Sequence, residues 1–151
     1  MEIFNLHEDD WDRAEEREGR RSKEVWVGAR IDAELIGASM SEFEHGDRLW
    51  PYHTHHANDE WLLVVSGTPT LRTPEGEQEL KEGDVACFLR GSDGAHQVSN
   101  GTEAPARVLM LSTLIRPDIV DRRPQRRRRA DSPEPARADP RLLGRRGLKA
   151  E

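Results

Sequence analysis

The chain has 151 residues, which predicts one compact domain, and hydrophobic and charged residues each make up 34% of it. The longest uninterrupted apolar run, 61–65, is too short for a membrane-spanning helix, and the acidic N-terminus is unlike a secretory signal. Together with the single cysteine, Cys87, which cannot form an internal disulfide, these features predict a cytoplasmic protein with no membrane partner.

Charge is divided unevenly along the chain. Residues 1–115 hold 11 Lys and Arg against 23 Asp and Glu, a net charge of −12, whereas residues 116–151 hold 12 against 6, a net charge of +6. The C-terminal stretch also contains five prolines and shows no sustained apolar period. We therefore predict a basic, disordered tail over 116–151, because it cannot bury enough surface to offset its ordering entropy.

Four consecutive arginines at 126–129 could contact phosphates without sequence preference. The run lacks the interleaved aromatic residues that stack on bases, and the domain before it is strongly acidic. We therefore expect no nucleic-acid function, and interpret the tail as solvated chain that folds back on the acidic domain.

The first 22 residues form a highly charged lead segment. Within it, 9–21 is compatible with one or two helical turns, but Trp11 is its only large apolar residue. We interpret this segment as a solvated face.

From residue 23 to 115 the sequence changes to short segments with alternating or mixed apolar positions, separated by turn residues. The segments predicted to be strands are 24–31, 33–43, 60–65, 69–73, 77–80, 84–89, 96–99 and 106–114. Residues 73–76 have the composition of a β-hairpin turn. No run has the length and period of a substantial helix, so the pattern predicts an all-β sandwich or barrel.

A cluster of histidine and acidic residues follows at 53–60, where the sequence reads His-Thr-His-His-Ala-Asn-Asp-Glu. Residues i and i+2 of a strand share a face, so His53 and His55 can point at one centre while His56 points away. After a short turn, Glu60 can return its carboxylate to the same centre. Neutral imidazoles with a carboxylate suit Fe, Mn, Zn, Ni or Cu.

The spacing of further residues resembles the two motifs of the cupin superfamily. The first motif is matched by His53, His55, Glu60 and Gly67. The second motif is matched by Gly83, Gly91, His96 and Asn100. Leu89 stands where proline is usual, and the gap before His96 is longer by two residues. The resemblance covers residues 25–115 and implies a double-stranded β-helix, or jelly-roll, barrel.

This resemblance implies a divalent metal ion with open coordination positions for water or substrate, as a catalytic metal needs. The implied ligands are His53, His55, Glu60 and His96. His56 and Asp59 are the alternative ligands that the local sequence leaves open. The resemblance also implies a homodimer, for which the segment 25–27 could supply an edge or exchanged strand.

Families with these motifs include dioxygenases, decarboxylases and sugar-phosphate isomerases. We therefore expect a metal-dependent enzyme acting on a small organic molecule, and the alternative is a non-catalytic cupin that binds a metal or a small ligand. No catalytic base distinct from the ligands stands out, and His56 and Tyr52 are the candidates.

Four neighbouring residues have a structural and a functional interpretation. Trp50, Tyr52 and Trp61 could line a substrate pocket, although core or interface packing is favoured for each. Cys87 lies between apolar Ala86 and Phe88, which favours a small buried hydrophobic residue over a nucleophile.

Overall fold

The structure is a computed structural model that describes residues 1–17 and 20–122. Most of the predicted tail, including the arginine run 126–129, lies outside the described residues. The strands are β1 (Arg13–Arg17), β2 (Arg20–Val25), β3 (Ile36–Phe43), β4 (Arg48–His55), β5 (Glu60–Ser66), β6 (Thr70–Thr73), β7 (Gly76–Glu79), β8 (Val85–Phe88), β9 (His96–Ser99), β10 (Ala106–Thr113) and β11 (Val120–Arg122). One helical turn, α1 (Val27–Arg30), and one 3₁₀ turn (Ser92–Gly94) interrupt them. Among the described helices, none has the length and apolarity to cross a membrane.

The strands form two antiparallel sheets. The larger has the order β1-β2-β3-β10-β5-β8, and the smaller has the order β11-β4-β9-β6-β7. In the larger sheet β3 and β10 pair over their full lengths, from Phe43 opposite Ala106 to Ile36 opposite Thr113. This nearly all-β architecture confirms the fold class predicted from the sequence.

A hydrophobic core lies between the two sheets. It contains side chains from both, including Phe43, Leu62 and Val108 of the larger sheet and Leu71 and Val98 of the smaller one. Strand alternation produces this arrangement, because every second side chain of each strand points inward. The core holds the two sheets together and fixes the strands that carry the histidine cluster.

The outer face of the larger sheet carries a second cluster, around Met40 and Leu109, against which the lead segment packs. Phe4, Leu6 and Trp11 contribute the partly buried side chains of the lead. The structure differs here from the interpretation of a solvated lead. Residues 9–21 contain strand β1 and the start of β2, and they show no helical turn in the described positions.

Local structure differs from the sequence prediction at three further places. Residues 27–30, predicted as the end of a strand, form α1. Cys87 is exposed on the outer face because Ala86 and Phe88 turn toward the core, so its assignment as a buried residue is wrong. The third difference is β11, which lies inside the segment predicted as tail and pairs with β4.

The segment 25–27, expected to serve as an edge or exchanged strand, is enclosed within the chain. β2 lies between β1 and β3, and the side chains of Val25 and Val27 are buried in the outer cluster. Trp26 remains half-exposed between them. The homodimer expected from the resemblance stays a prediction.

Candidate metal centre

The two histidines of the His-x-His pair lie on one face of β4, as strand alternation predicts. Both line the same cavity, whereas Thr54 between them donates a hydrogen bond to the carbonyl of Gly91. The pairing of β4 with β9 shifts register between Leu49 and His53. Within this irregularity Trp50 has a φ of 51°, an uncommon left-handed conformation for a residue other than glycine, and its side chain lines the cavity.

His96 reaches the same region from β9, where it is paired directly with His53. The two residues that lengthen the second motif are accommodated by the 3₁₀ turn that precedes His96. This turn requires glycine at position 94, because a Cβ atom there would lie 1.7 Å from the carbonyl oxygen of Leu89. The longer gap therefore leaves His96 facing His53, with ring centroids 4.7 Å apart.

Backbone carbonyls orient two of the imidazole rings. Nδ1 of His96 donates to the carbonyl of Gly94 at 2.9 Å, and Nδ1 of His53 donates to the carbonyl of Pro51 at 2.9 Å. In a neutral ring protonated at Nδ1, the lone pair of Nε2 is free to bind a metal ion. His96 is further held by stacking on Phe88, with ring centroids 3.8 Å apart and 9° between the planes.

Glu60 begins β5 and places its carboxylate among these rings. Its Oε2 lies 3.4 Å from Nε2 of His55 and 3.4 Å from Nε2 of His96. One ligand atom each from His53, Glu60 and His96 lies within 4.8 Å of the other two. His55 is not part of this mutually close group, although it approaches Glu60.

A residue that the sequence analysis missed, Asp118, holds the ring of His55. Nδ1 of His55 donates to its Oδ2 at 2.5 Å, and the backbone N–H of Ala57 donates to its Oδ1 at 2.9 Å. A carboxylate on Nδ1 fixes the tautomer and leaves Nε2 of His55 facing Glu60. Burial by itself raises the pKa of Asp118, but hydrogen bonds with His55, Asn58 and Ala57 hold that pKa below its usual range.

Burial also controls the protonation of the group near pH 7. It lowers the pKa of His96 to about 4 and lowers the pKa of His53, so both rings are neutral, the form that binds metal ions. Burial raises the pKa of Glu60, since a carboxylate out of contact with water is costly to ionise. A positive charge beside Glu60 would offset that cost.

Two polar atoms show that the donor set fits a cation. Oε2 of Glu60 and Nε2 of His96 are buried, and neither has a hydrogen-bond partner in the described part of the chain. Their separation of 3.4 Å is long for a proton shared between oxygen and nitrogen. A divalent cation among His53, Glu60 and His96 would be coordinated by both atoms, and the residues therefore fit a metal ion.

A cavity of about 370 Å³ adjoins the cluster, within the size range of small-molecule sites. His53, His55 and Glu60 line one part of it. Other parts of the wall come from residues of both sheets, including Trp50, Met110, Val120 and Arg122, and from Trp26, which precedes α1. The cavity gives a small organic molecule direct access to three of the candidate ligands, His53, His55 and Glu60.

Comparison with known proteins assigns the barrel to a domain family. Residues 39–112 match the family model described as the cupin domain. The protein contains a cupin domain. The matched region runs from β3 to β10 and includes both motifs found in the sequence. None of the curated proteins matches the sequence.

Solved structures share the fold of this cupin domain. A sugar phosphate isomerase of the cupin superfamily from Silicibacter pomeroyi is 27% identical with a TM-score of 0.64, over 68% of this chain and 64% of that one. A proposed sugar phosphate isomerase from Acidithiobacillus ferrooxidans is 25% identical with a TM-score of 0.63, over 68% and 65%. The chain thus spans less than two thirds of either protein. A polyketide cyclase from Streptomyces resistomycificus, 21% identical with a TM-score of 0.61 over 80% and 84%, shares the fold.

The alternative ligands lie outside the cavity of the cupin domain. His56 is exposed, and its side chain is not part of the cavity wall. Asp59 accepts a hydrogen bond from the backbone N–H of Arg90 at 2.9 Å and is not part of the cavity wall. Neither joins the close group formed by His53, Glu60 and His96.

The aromatic neighbours have three different environments. Trp50 lines the cavity and also packs against the hydrophobic core, so both of its interpretations hold. Tyr52 is buried beneath the guanidinium of Arg72, which lies 4.6 Å from its ring centroid. Trp61 is 52% exposed on the outer face of the larger sheet. Neither Tyr52 nor His56 lines the cavity, so neither is placed to act as a base on a molecule bound there.

Proposed function

We propose that this cupin domain is a metal-dependent enzyme that acts on a small organic molecule. The ligands of its divalent ion (Fe, Mn, Zn, Ni or Cu) are His53, His55, Glu60 and His96. The observation that carries the proposal is the pair of buried, unpartnered atoms, Oε2 of Glu60 and Nε2 of His96, next to a cavity of small-molecule size.

Each histidine ligand is oriented by a neighbouring hydrogen-bond acceptor. The carbonyls of Pro51 and Gly94 and the carboxylate of Asp118 set the three rings in the tautomer that presents Nε2. Glu60 supplies the negative charge. A bound divalent ion would polarise an oxygen atom of the substrate, and the cavity would bring that oxygen to the free coordination positions.

Among the reactions that the resemblance implies, isomerisation has additional support. Two solved structures at 25% identity or above are described as sugar phosphate isomerases. Dioxygenation and decarboxylation use the same type of metal centre and remain the other two reaction classes. The cytoplasmic location and the homodimer stay predictions beside this proposal.

Metal content measured by elemental analysis on the full chain tests the ligand set. We expect about one ion per chain in the parent protein and in His56→Ala, and loss of that ion in His53→Ala and His96→Ala. His56→Ala is the matched control because it removes an exposed imidazole one residue away from His55. A parent protein that binds none of the five metals on titration would contradict the proposal.

Catalysis is tested separately on the metal-loaded chain. Aldose and ketose phosphates of three to six carbons serve as probes, and interconversion is followed by NMR before and after chelation. Metal-dependent conversion that is absent in His96→Ala supports an isomerase. If a probe binds tightly but is not converted, either in air or under anaerobic conditions, the result favours the non-catalytic alternative.

A further inference from the structure

Strand β11 contributes a cation to the wall of the cavity. Val120 and Arg122 both line it, because alternate residues of a strand share a face, and Asp121 between them does not. In the antiparallel pairing with β4, Arg122 lies directly opposite His53 and Val120 opposite His55. The side chain of Arg122 therefore extends from the position next to a candidate metal ligand.

The guanidinium of Arg122 has no ion pair with a carboxylate of the described residues. Other arginines of this acidic chain do: Arg21 with Asp47, Arg30 with Asp10 and Asp12, and Arg107 with Asp9 and Glu42. Among the described residues that line the cavity, Arg122 is the one permanent cation and Glu60 the one carboxylate. Since Glu60 faces the histidines, Arg122 remains available to a molecule in the cavity.

We propose that Arg122 binds an anionic group, a carboxylate or a phosphate monoester, of the small molecule that enters the cavity. This assignment rests on the metal-dependent function proposed above. A guanidinium matches the planar or tetrahedral oxygens of either group with two parallel hydrogen bonds. The apolar surface of Trp26, Trp50 and Val120 accommodates the uncharged body of the ligand.

Three probes that share one aromatic body separate the possible ligands. They are phenyl phosphate, benzoate and neutral benzyl alcohol, titrated calorimetrically into the metal-loaded full chain. The variants are Arg122→Gln, Arg122→Lys and Arg116→Gln. Arg116→Gln is the matched control because it removes an exposed arginine from the same segment without touching the cavity wall.

We expect at least one anion to bind the parent, and to bind Arg122→Gln about 10- to 100-fold more weakly, as a lost charge-assisted pair implies. Arg122→Lys keeps the positive charge but cannot form two parallel hydrogen bonds, so its anion affinity should lie between those of the parent and Arg122→Gln. Arg116→Gln changes affinity less than about 2-fold, as for exposed charges. The anion whose binding depends on Arg122 identifies the ligand as a phosphate or a carboxylate.

Metal content measured on the same samples separates the two proposals. If the parent and Arg122→Gln both hold the metal and bind the anions equally, the role of Arg122 is wrong and the metal site stands. The role of Arg122 is equally wrong if benzyl alcohol binds the parent as tightly as either anion does, or if neither anion binds. A parent without metal contradicts both proposals.

Discussion

The two ends of the described chain are both polar and both lie outside the predicted barrel, but they have opposite roles. The lead segment packs on the outer face of the larger sheet, where Phe4, Leu6 and Trp11 cover apolar side chains. The segment 116–122 pairs with β4 of the smaller sheet and brings Asp118 and Arg122 to the candidate metal centre. Composition shows that neither segment has a core of its own, but it does not show which surface the segment covers.

Arg107 links the lead to the barrel. Its guanidinium contacts Glu42 and Asp9 at 2.6 Å each, donates to the carbonyls of Leu6 and Glu8, and lies 4.9 Å from the ring centroid of Trp11. None of these contacts involves a residue of the cavity wall. The lead is therefore expected to influence stability, and the segment 116–122 to influence metal and ligand binding.

Removing Arg107 gives the largest effect expected of a single substitution. Arg107→Met leaves Glu42 with the half-exposed Lys23 as its one remaining cation and removes the donor to two backbone carbonyls, so we expect a loss of about 3 kcal/mol in the free energy of unfolding. Denaturant titration measures this loss. Arg13→Met, which breaks an exposed pair with Glu15, should cost less than about 0.5 kcal/mol. Loss of metal from Arg107→Met would contradict the expectation that the lead influences stability without influencing metal binding.

Acid is expected to destabilise the metal-free protein through the site. The pKa of His96 is about 4 in the folded chain and 6.5 in the reference state, so the unfolded chain binds more protons between these values. Stability should therefore fall by about 3 kcal/mol as the pH is lowered from 6.5 to 4. The lowered pKa of His53 acts in the same direction.

Denaturant titration of chelator-treated protein at several pH values measures this dependence. Between pH 6.5 and 4 the ion pair of Arg107 with Glu42 should persist. Burial raises the pKa of Glu42, but hydrogen bonds from Arg107 and Lys23 hold that pKa below its usual value. Arg107→Met should thus lower the whole curve, whereas His96→Gln should flatten it. An unchanged slope in His96→Gln would show that His96 is not the group responsible.

Asp118→Asn tests the opposite end of the chain and has the smallest effect on stability. The amide cannot hold His55 as the carboxylate does, so we expect metal affinity to fall about 10- to 100-fold. The free energy of unfolding should change by less than about 1 kcal/mol, since one acceptor oxygen is kept. Competition with a metal chelator gives the affinity. Asp121→Asn, in the same segment but outside the cavity wall, is the control and should bind metal as the parent does.

Much of the fold follows from local patterns in the sequence. Side chains of a strand alternate between its two faces, so β5 and β10, which place apolar side chains on both faces of the larger sheet, are visible in the sequence as short continuous apolar runs. His53 and His55 share a face for the same reason. The position of His96 depends on pairing between distant strands, which only the resemblance to the cupin motifs could predict.

The two functional residues that the sequence did not reveal lie in a segment whose composition predicts disorder, although the segment pairs with a strand of the barrel. Asp118 and Arg122 belong to a stretch rich in proline and arginine, and their roles depend on pairing with β4. The apolar residues Ile115, Ile119 and Val120, directly before the arginine-rich part, were the available signal of an ordered segment. Cys87 was misassigned because an apolar run does not reveal which of its residues face outward.

A crystal of the metal-loaded protein, with anomalous data collected at the absorption edge of the bound metal, tests the central claim most directly. The account predicts one anomalous peak per chain at about 2.0–2.2 Å from Nε2 of His53, His55 and His96 and from the carboxylate of Glu60. It also predicts that Asp118 contacts His55 in that crystal. A peak elsewhere, or none in protein shown by elemental analysis to hold the metal, would contradict the proposed site.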